Sequence, residues 1–210
     1  MPDDLHADFL SNENPSDGTR TRLPAVAVTT LSELDEVVLR ARIAQRAWGA
    51  LPFADRARRM RAFARRLRDD TQLLNTLTAE SGKPRYEAEV FELLYTLELT
   101  RFYSGSQGRR ALQDELRRPF LFPNKRARVL YRPRGVVGVI GPWNWPLLNN
   151  FADAIAPLLA GNAVILKPSE WTPHTSLRVA ELWQSAGMPA DVFQVVSGRG
   201  ELGRGLVERC

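Results

Sequence analysis

The stretch Gly135–Glu170, GVVGVIGPWNWPLLNNFADAIAPLLAGNAVILKPSE, decides the fold of this 210-residue chain. It contains two short, uncharged runs rich in β-branched residues, Val136–Ile140 and Ala163–Leu166, which are typical of parallel strands buried on both faces. Between them, apolar residues recur at helical spacing, and Gly161 follows as a helix stop. Because parallel strands need a crossover of this kind, the sequence predicts a βαβ unit within an open α/β sheet.

A polar turn follows each of these two predicted strands. Gly141–Asn144 comes directly after the first strand, and Lys167–Glu170 comes at the end of the second. In open α/β sheets, ligands bind in the crevice outside the carboxyl ends of the strands. The sequence therefore predicts that both turns lie at the ligand-binding edge of the sheet.

The series of motifs in this stretch resembles that of the aldehyde dehydrogenase superfamily, in which Pro-Trp-Asn, Pro-Leu, Ala-Gly-Asn and Lys-Pro-Ser-Glu follow in this order. The likeness extends more weakly over residues 31–207. It implies an α/β fold, with a helical lead-in, an incomplete parallel open sheet and a β-hairpin oligomerisation arm. It also implies the amino-terminal portion of a nicotinamide-dependent enzyme that oxidises an aldehyde to a carboxylic acid through a cysteine thiohemiacetal.

The resemblance assigns roles to the residues of both turns. Asn144 would donate a hydrogen bond to the thiohemiacetal oxyanion, which a side-chain amide can do without titrating. Lys167 and Glu170 would bind the adenosine ribose. The alternatives are a turn asparagine that satisfies local backbone groups and a surface ion pair. The predicted cofactor-binding set is Ile140, Gly141, Pro142, Trp143, Lys167, Ser169, Glu170, Gly200 and Gly203.

The expected cofactor is NAD, with NADP as the alternative. A carboxylate at Glu170 would disfavour the added charge of a 2′-phosphate. A third strand is predicted at Val192–Val196, and the glycine-rich run Gly198–Gly203 follows it. This run matches the dinucleotide pattern literally, but the acidic residue expected about 20 positions on would lie past residue 210. By the resemblance the glycine-rich phosphate turn belongs to a later strand, so the run predicts cofactor contacts at Gly200 and Gly203 but no Rossmann fingerprint.

The segment 113–134 is predicted to form a β-hairpin. Arginines alternate with apolar residues from Arg126 to Arg132, and Pro123–Lys125 supplies a turn. By its position it matches the family's oligomerisation segment, which would make the complete enzyme a homo-oligomer. An ordinary edge hairpin kept soluble by its arginines is the alternative.

The rest of the chain divides into a predicted disordered leader, residues 1–24, and a partial cofactor-binding domain, residues 25–112 and 135–210, which opens with four helices. The catalytic domain is expected to be absent, which leaves these residues without a nucleophile and inactive alone. The other interpretation is a truncated, non-catalytic pseudoenzyme with a structural or subunit-pairing role.

Composition excludes several classes of function. The net charge is +5, but the arginines are spread over helical faces, which argues against a nucleic-acid partner. The longest uncharged run contains prolines and asparagines, so no membrane span is predicted. A single cysteine favours a reducing cytoplasm, and this residue, Cys210, is not expected to be catalytic. No cluster of cysteines and histidines predicts a metal site.

Overall fold

The structure, a computed structural model, describes residues 9–210. Its helices are α1 (Leu31–Ala50), α2 (Phe53–Asp69), α3 (Thr71–Ser81), α4 (Arg85–Glu87), α5 (Tyr95–Tyr103), α6 (Ser106–Ala111), α7 (Asp153–Leu159), α8 (His174–Ser185) and α9 (Gly200–Arg209). Two π-helical segments, Ala88–Leu94 and Leu148–Ala152, lead into α5 and α7. Its strands are β1 (Phe9–Leu10), β2 (Val26–Ala27), β3 (Glu115–Arg117), β4 (Ala127–Val129), β5 (Val136–Ile140), β6 (Ala163–Lys167) and β7 (Phe193–Val195).

Strands β5, β6 and β7 form a parallel sheet in the order β5-β6-β7, which confirms the predicted open α/β fold. The register pairs Val136 with Ala163 at one end and Ile140 with Lys167 at the other. The carboxyl ends of β5 and β6 therefore lie level with each other. This alignment brings the two polar turns of the sequence to the same edge.

Helices cover both faces of the sheet. In β6, Ala163 and Ile165 face a core shared with α1 and α9, whereas Val164 and Leu166 face a larger core built by α2, α3, α7 and α8. All five residues of β6 are buried. The continuous apolar run of this strand thus follows from its position between two helical layers.

Strand β5 differs from the expectation of burial on both faces. Its only partner among the described strands is β6, so one edge of β5 is open. Ile140 is 53% exposed, and Gly138 is exposed as well. The prediction of a fully buried strand is therefore wrong for β5, because it lies at the edge of the described sheet.

The helical lead-in has caps that explain its boundaries. Thr30 and Glu33 form a reciprocal capping box at the start of α1. Asp70 caps α3, which ends at Gly82 in the left-handed conformation, with φ of 70°. The predicted fourth helix spans residues 85–103 as α4, a π-helical segment and α5. In the described part of the chain, no helix combines the length and apolar composition needed to cross a membrane.

The predicted leader falls partly outside the described residues, which begin at residue 9. From there the chain is folded: β1 pairs antiparallel with β2, and Leu10 is 3% exposed. The buried Asn12 side chain donates hydrogen bonds to the carbonyl oxygens of Glu170 and Trp171. The prediction of a disordered leader is wrong for residues 9–24, because two-residue strands leave no periodic pattern in the sequence.

The segment 113–134 forms a hairpin in which β3 pairs antiparallel with β4. An ion pair of 3.0 Å between Arg132 and Asp114 closes its base. The strands have only three residues each, and the connection between them holds the most exposed apolar side chains of the described chain, Phe120 at 96% and Leu121 at 79%. We call this hairpin the arm.

Candidate cofactor site and oxyanion donor

The two strand-end turns are linked to each other directly. The Gly141 amide donates a hydrogen bond of 3.0 Å to the Lys167 carbonyl oxygen, which extends the β5–β6 pairing by one residue. The Thr172 hydroxyl donates to the Trp143 carbonyl oxygen over 3.2 Å. The turns are therefore held side by side by one backbone hydrogen bond and one side-chain hydrogen bond.

A cleft of about 420 Å³, which we call the strand-end cleft, opens beside these turns. It is lined by Ile140, Gly141, Pro142, Lys167, Ser169, Glu170, Gly200, Gly203, Arg204 and Val207. The structure thus brings together eight of the nine residues predicted to bind the cofactor. Trp143 lies outside this cleft. Arg204 and Val207 line the cleft but were not predicted, because the glycine motif indicates a ligand contact only at the first turn of α9.

Lys167 lies at the floor of the strand-end cleft. Its side chain is 4% exposed, and Nζ donates to the Pro168 carbonyl oxygen over 3.0 Å and lies 4.0 Å from a Glu170 carboxylate oxygen. Burial lowers the pKa of Lys167, and Glu170 acts in the opposite direction. The Glu170 side chain is about one third exposed, at 35%, so its carboxylate can meet a ligand that enters the cleft.

The opposite wall of the cleft is the start of α9. A side chain at Gly200 would meet no atom within 4 Å, and one at Gly203 would touch Lys167 at an ordinary 3.6 Å. Steric crowding therefore does not require either glycine in this chain, but their small size leaves the amide end of α9 accessible. Arg204 is exposed, and the described residues give its guanidinium no ion pair. Together with Lys167, it makes the cleft suitable for a phosphate-bearing ligand.

Asn144 lies at the tip of the first turn and is exposed. The described residues provide no hydrogen-bond partner for its side-chain amide, so the amide is free to donate to a ligand. The adjacent Trp143 is 61% exposed. It lines a second cleft, of about 530 Å³, together with Trp171 and Asn12.

Gly141 is the one glycine of the turn that the packing requires. A Cβ atom there would lie 1.7 Å from Oδ1 of Asn150, whose side chain is fully buried and donates to the Ser176 hydroxyl over 3.1 Å. Only a residue without a side chain lets the turn approach this buried amide. Close packing of Asn150 thus fixes the path of the chain between β5 and Asn144.

Two buried glutamates of the lead-in helices accept hydrogen bonds from backbone amides that follow the two turns. Glu80 accepts hydrogen bonds from the amides of His174 (2.7 Å) and Thr175 (2.8 Å) at the start of α8, and Glu92 accepts from the amides of Leu147 and Leu148. Burial is the main cause that raises the pKa of Glu80 to about 7. Sequence reasoning missed both, although Glu80 continues the buried helical stripe of α3, which was the available signal.

Cys210 is exposed and directly follows α9, about one helical turn beyond Val207, which lines the strand-end cleft. The described residues give its thiol no hydrogen-bond partner. Partial burial raises the pKa of the thiol, which disfavours the reactive thiolate. Among the described residues, no group of three metal-ligating side chains exists.

A family model described as "Aldehyde dehydrogenase family" matches residues 4–209. The chain belongs to the aldehyde dehydrogenase family. A Mycolicibacterium smegmatis relative, named as a succinate-semialdehyde dehydrogenase with NADP(+), is 37% identical over 194 residues, which are 91% of this chain and 37% of the relative. N-succinylglutamate 5-semialdehyde dehydrogenase of Novosphingobium aromaticivorans is 38% identical over 84% of this chain and 37% of its own length.

Solved aldehyde dehydrogenases share the fold of this chain. The Mycobacterium tuberculosis aldehyde dehydrogenase, solved in complex with NAD+, superposes with a TM-score of 0.85 at 28% identity, over 95% of this chain and 41% of that one. The present aldehyde dehydrogenase chain therefore spans about two fifths of the length of the relatives it matches. The superposition on the Mycobacterium tuberculosis enzyme includes 95% of the present chain.

Proposed function

We propose that this chain supplies the cofactor cleft and the oxyanion donor of an enzyme that oxidises an aldehyde to a carboxylic acid with NAD, and less readily with NADP. The observation that supports the proposal is the convergence of Lys167, Glu170 and the start of α9 on one cleft beside the Asn144 turn. The names of the relatives, which include semialdehyde dehydrogenases, agree with an aldehyde as substrate.

The residues of the strand-end cleft suit the adenosine end of a dinucleotide. The Glu170 carboxylate can accept hydrogen bonds from the ribose hydroxyls, and Lys167 can donate to one of them. The amide end of α9 and Arg204 can meet phosphate oxygens. The bound dinucleotide supplies the hydride acceptor, and the chain's own groups bind and orient it.

Asn144 would act on the aldehyde rather than on the cofactor. When a cysteine thiolate attacks the carbonyl carbon, negative charge develops on the oxygen, and an amide N–H positioned there stabilises it. Cys210 does not supply this thiolate, because partial burial raises the pKa of its thiol and the described residues place no side-chain base in hydrogen-bond contact with it. We therefore propose that the 210 residues alone do not oxidise aldehydes, and that the nucleophile belongs to residues outside this sequence. The single cysteine also favours a reducing cytoplasm as the location.

Cofactor binding by the purified chain tests the proposal. Lys167→Ala should weaken the binding of both NAD and NADP by about 1 to 2 kcal/mol, because one charged contact is lost. Glu170→Gln should reduce the ratio of the affinity for NAD to the affinity for NADP, since the substitution removes the carboxylate charge that repels the 2′-phosphate. Isothermal titration calorimetry measures both effects, with Lys125→Ala as the matched control on the arm. The proposal is refuted if the chain binds no nucleotide, or if Lys167→Ala leaves the affinity for both nucleotides unchanged.

We also propose that the arm pairs subunits into a homo-oligomer. If the protein is a non-catalytic pseudoenzyme, subunit pairing through the arm is the role that it would retain. The exposure of Phe120 and Leu121 favours this role, because such side chains are usually covered by a partner.

Substitution of the apolar tip checks the role of the arm. The variant Phe120→Ser with Leu121→Ser should have a lower molar mass in solution than the parent chain, measured by light scattering after size exclusion. The control replaces Leu39 and Ile43, which are also exposed on α1, at 60% and 63%. An unchanged mass in the arm variant, or an equal drop in the control, contradicts a pairing role.

A further inference from the structure

The Asn144 turn is bordered by a charged pair, with a buried carboxylate and a partly buried lysine, that the proposed chemistry does not use. Glu92 is 0% exposed and lies in the π-helical segment Ala88–Leu94. Lys83 lies just before α4, and its Nζ is 2.5 Å from Glu92 Oε1. A pair with a buried carboxylate is costly to desolvate, so its presence is weak evidence for a contribution to stability.

The two oxygens of Glu92 have separate partners. Oε1 accepts from Lys83, whereas Oε2 accepts from the Leu147 amide over 2.8 Å and from the Leu148 amide over 3.2 Å. These amides belong to the point where the Asn144 turn enters the helical segment that begins at Leu148. Glu92 therefore fixes the residues immediately after the turn.

Lys83 acts on the turn itself. Its Nζ lies 3.6 Å from the centroid of the Trp145 ring, within the range of a cation–π contact. Trp145 directly follows Asn144. On the other side, Thr172 holds the Trp143 carbonyl oxygen. Both neighbours of Asn144 are thus held, while the Asn144 side chain keeps its amide free.

The geometry points to Lys83 and Glu92 as a positioning pair that sets the direction of the Asn144 amide toward the substrate oxygen. This inference rests on the proposed function of Asn144. Oxyanion donors act only when they are aimed at the charge as it develops, so loss of the pair would misdirect the donor without removing it. The π-helical segment agrees with this role, because π turns within helices often occur at functional sites.

Nuclear magnetic resonance of the ¹⁵N-labelled 210-residue chain tests the pair without catalysis. In Glu92→Gln, the Leu147 amide should exchange with solvent about tenfold faster, since a charge-assisted hydrogen bond is weakened. The Asn144 side-chain amide and the Trp145 indole signals should shift. In the matched control Glu89→Gln, an exposed glutamate of the same segment, all of these signals should stay in place.

A second pair of variants keeps the test decisive if Glu92→Gln unfolds the chain. Lys83→Met should move the Trp145 and Asn144 signals, and Lys83→Arg should restore them, because arginine keeps the charge above the ring. Nucleotide affinity, measured by calorimetry, should be unchanged in all four variants. The inference is overturned if the Asn144 signals stay in place in both Lys83→Met and Glu92→Gln. It is also overturned if these two variants lose nucleotide affinity to the same extent. Failure of the parent chain to bind nucleotide instead refutes the proposed function.

Discussion

Replacing Asn144 with alanine is expected to lower kcat for aldehyde oxidation about 10² to 10³-fold when the chain is completed by the carboxyl-terminal portion of a relative. Loss of one oxyanion donor has an effect of this size in other acyl-transfer sites. The Asn144 side chain has no partner in the described structure, so the substitution breaks no internal hydrogen bond. The expected loss therefore falls on the reaction rather than on folding.

Steady-state kinetics of the fusion with the Novosphingobium relative's carboxyl-terminal portion measure this effect. The KM for NAD should change little, because Asn144 lies outside the strand-end cleft. Asn149→Ala is the matched control, since it removes a half-buried amide from the following helical segment. A kcat of Asn144→Ala within threefold of the parent value would contradict the role of Asn144 as oxyanion donor. An equal loss of kcat in Asn149→Ala would contradict it as well.

The free energy of unfolding is expected to fall by about 3 kcal/mol as pH rises from 4.5 to 7, through Glu80 alone. Burial raises the pKa of Glu80 from 4.5 to about 7 in the folded state. Within this range the folded chain retains the proton that the unfolded chain has released. The stabilisation is thus complete below pH 4.5 and is lost as pH rises through about 7.

Urea unfolding of the chain at several pH values, compared with Glu80→Gln, isolates this contribution. Glutamine resembles the protonated carboxyl, so the variant should match the parent near pH 5 and exceed its stability near pH 8. The pKa of the neighbouring His174 is lowered by burial, and its opposite effect below pH 6.5 occurs in both proteins. Glu87→Gln, at an exposed position, serves as the control. Parallel stability curves for parent and Glu80→Gln would contradict the prediction.

The sequence could predict the two turns of the site because topology alone places them together. Once Val136–Ile140 and Ala163–Leu166 are recognised as adjacent parallel strands, Gly141 and Lys167 must lie at the same edge. The start of α9 follows in the same way from the third strand. These inferences use local patterns and one general rule, and they need no knowledge of side-chain contacts.

The supporting residues could not be predicted, because their partners are distant in sequence. The amides that Glu92 accepts from lie 55 and 56 residues further along the chain, and those of Glu80 lie 94 and 95 residues further. A glutamate on a helical stripe resembles a solvated residue until its partner is known. The exposure of β5 was missed for a related reason, since a strand's own residues do not reveal whether it lies at an edge.

The contact between Asn12 and the Glu170 turn also constrains how the chain can fold during synthesis. Its two hydrogen bonds join residues 158 and 159 positions apart. At typical elongation rates, Asn12 is synthesised roughly 8 to 30 s before its partners. The first strands must therefore wait, without their final contacts, until most of the translated polypeptide has appeared. Such long-range closure slows the last folding step and makes it the stage at which a nascent chain is most exposed to aggregation.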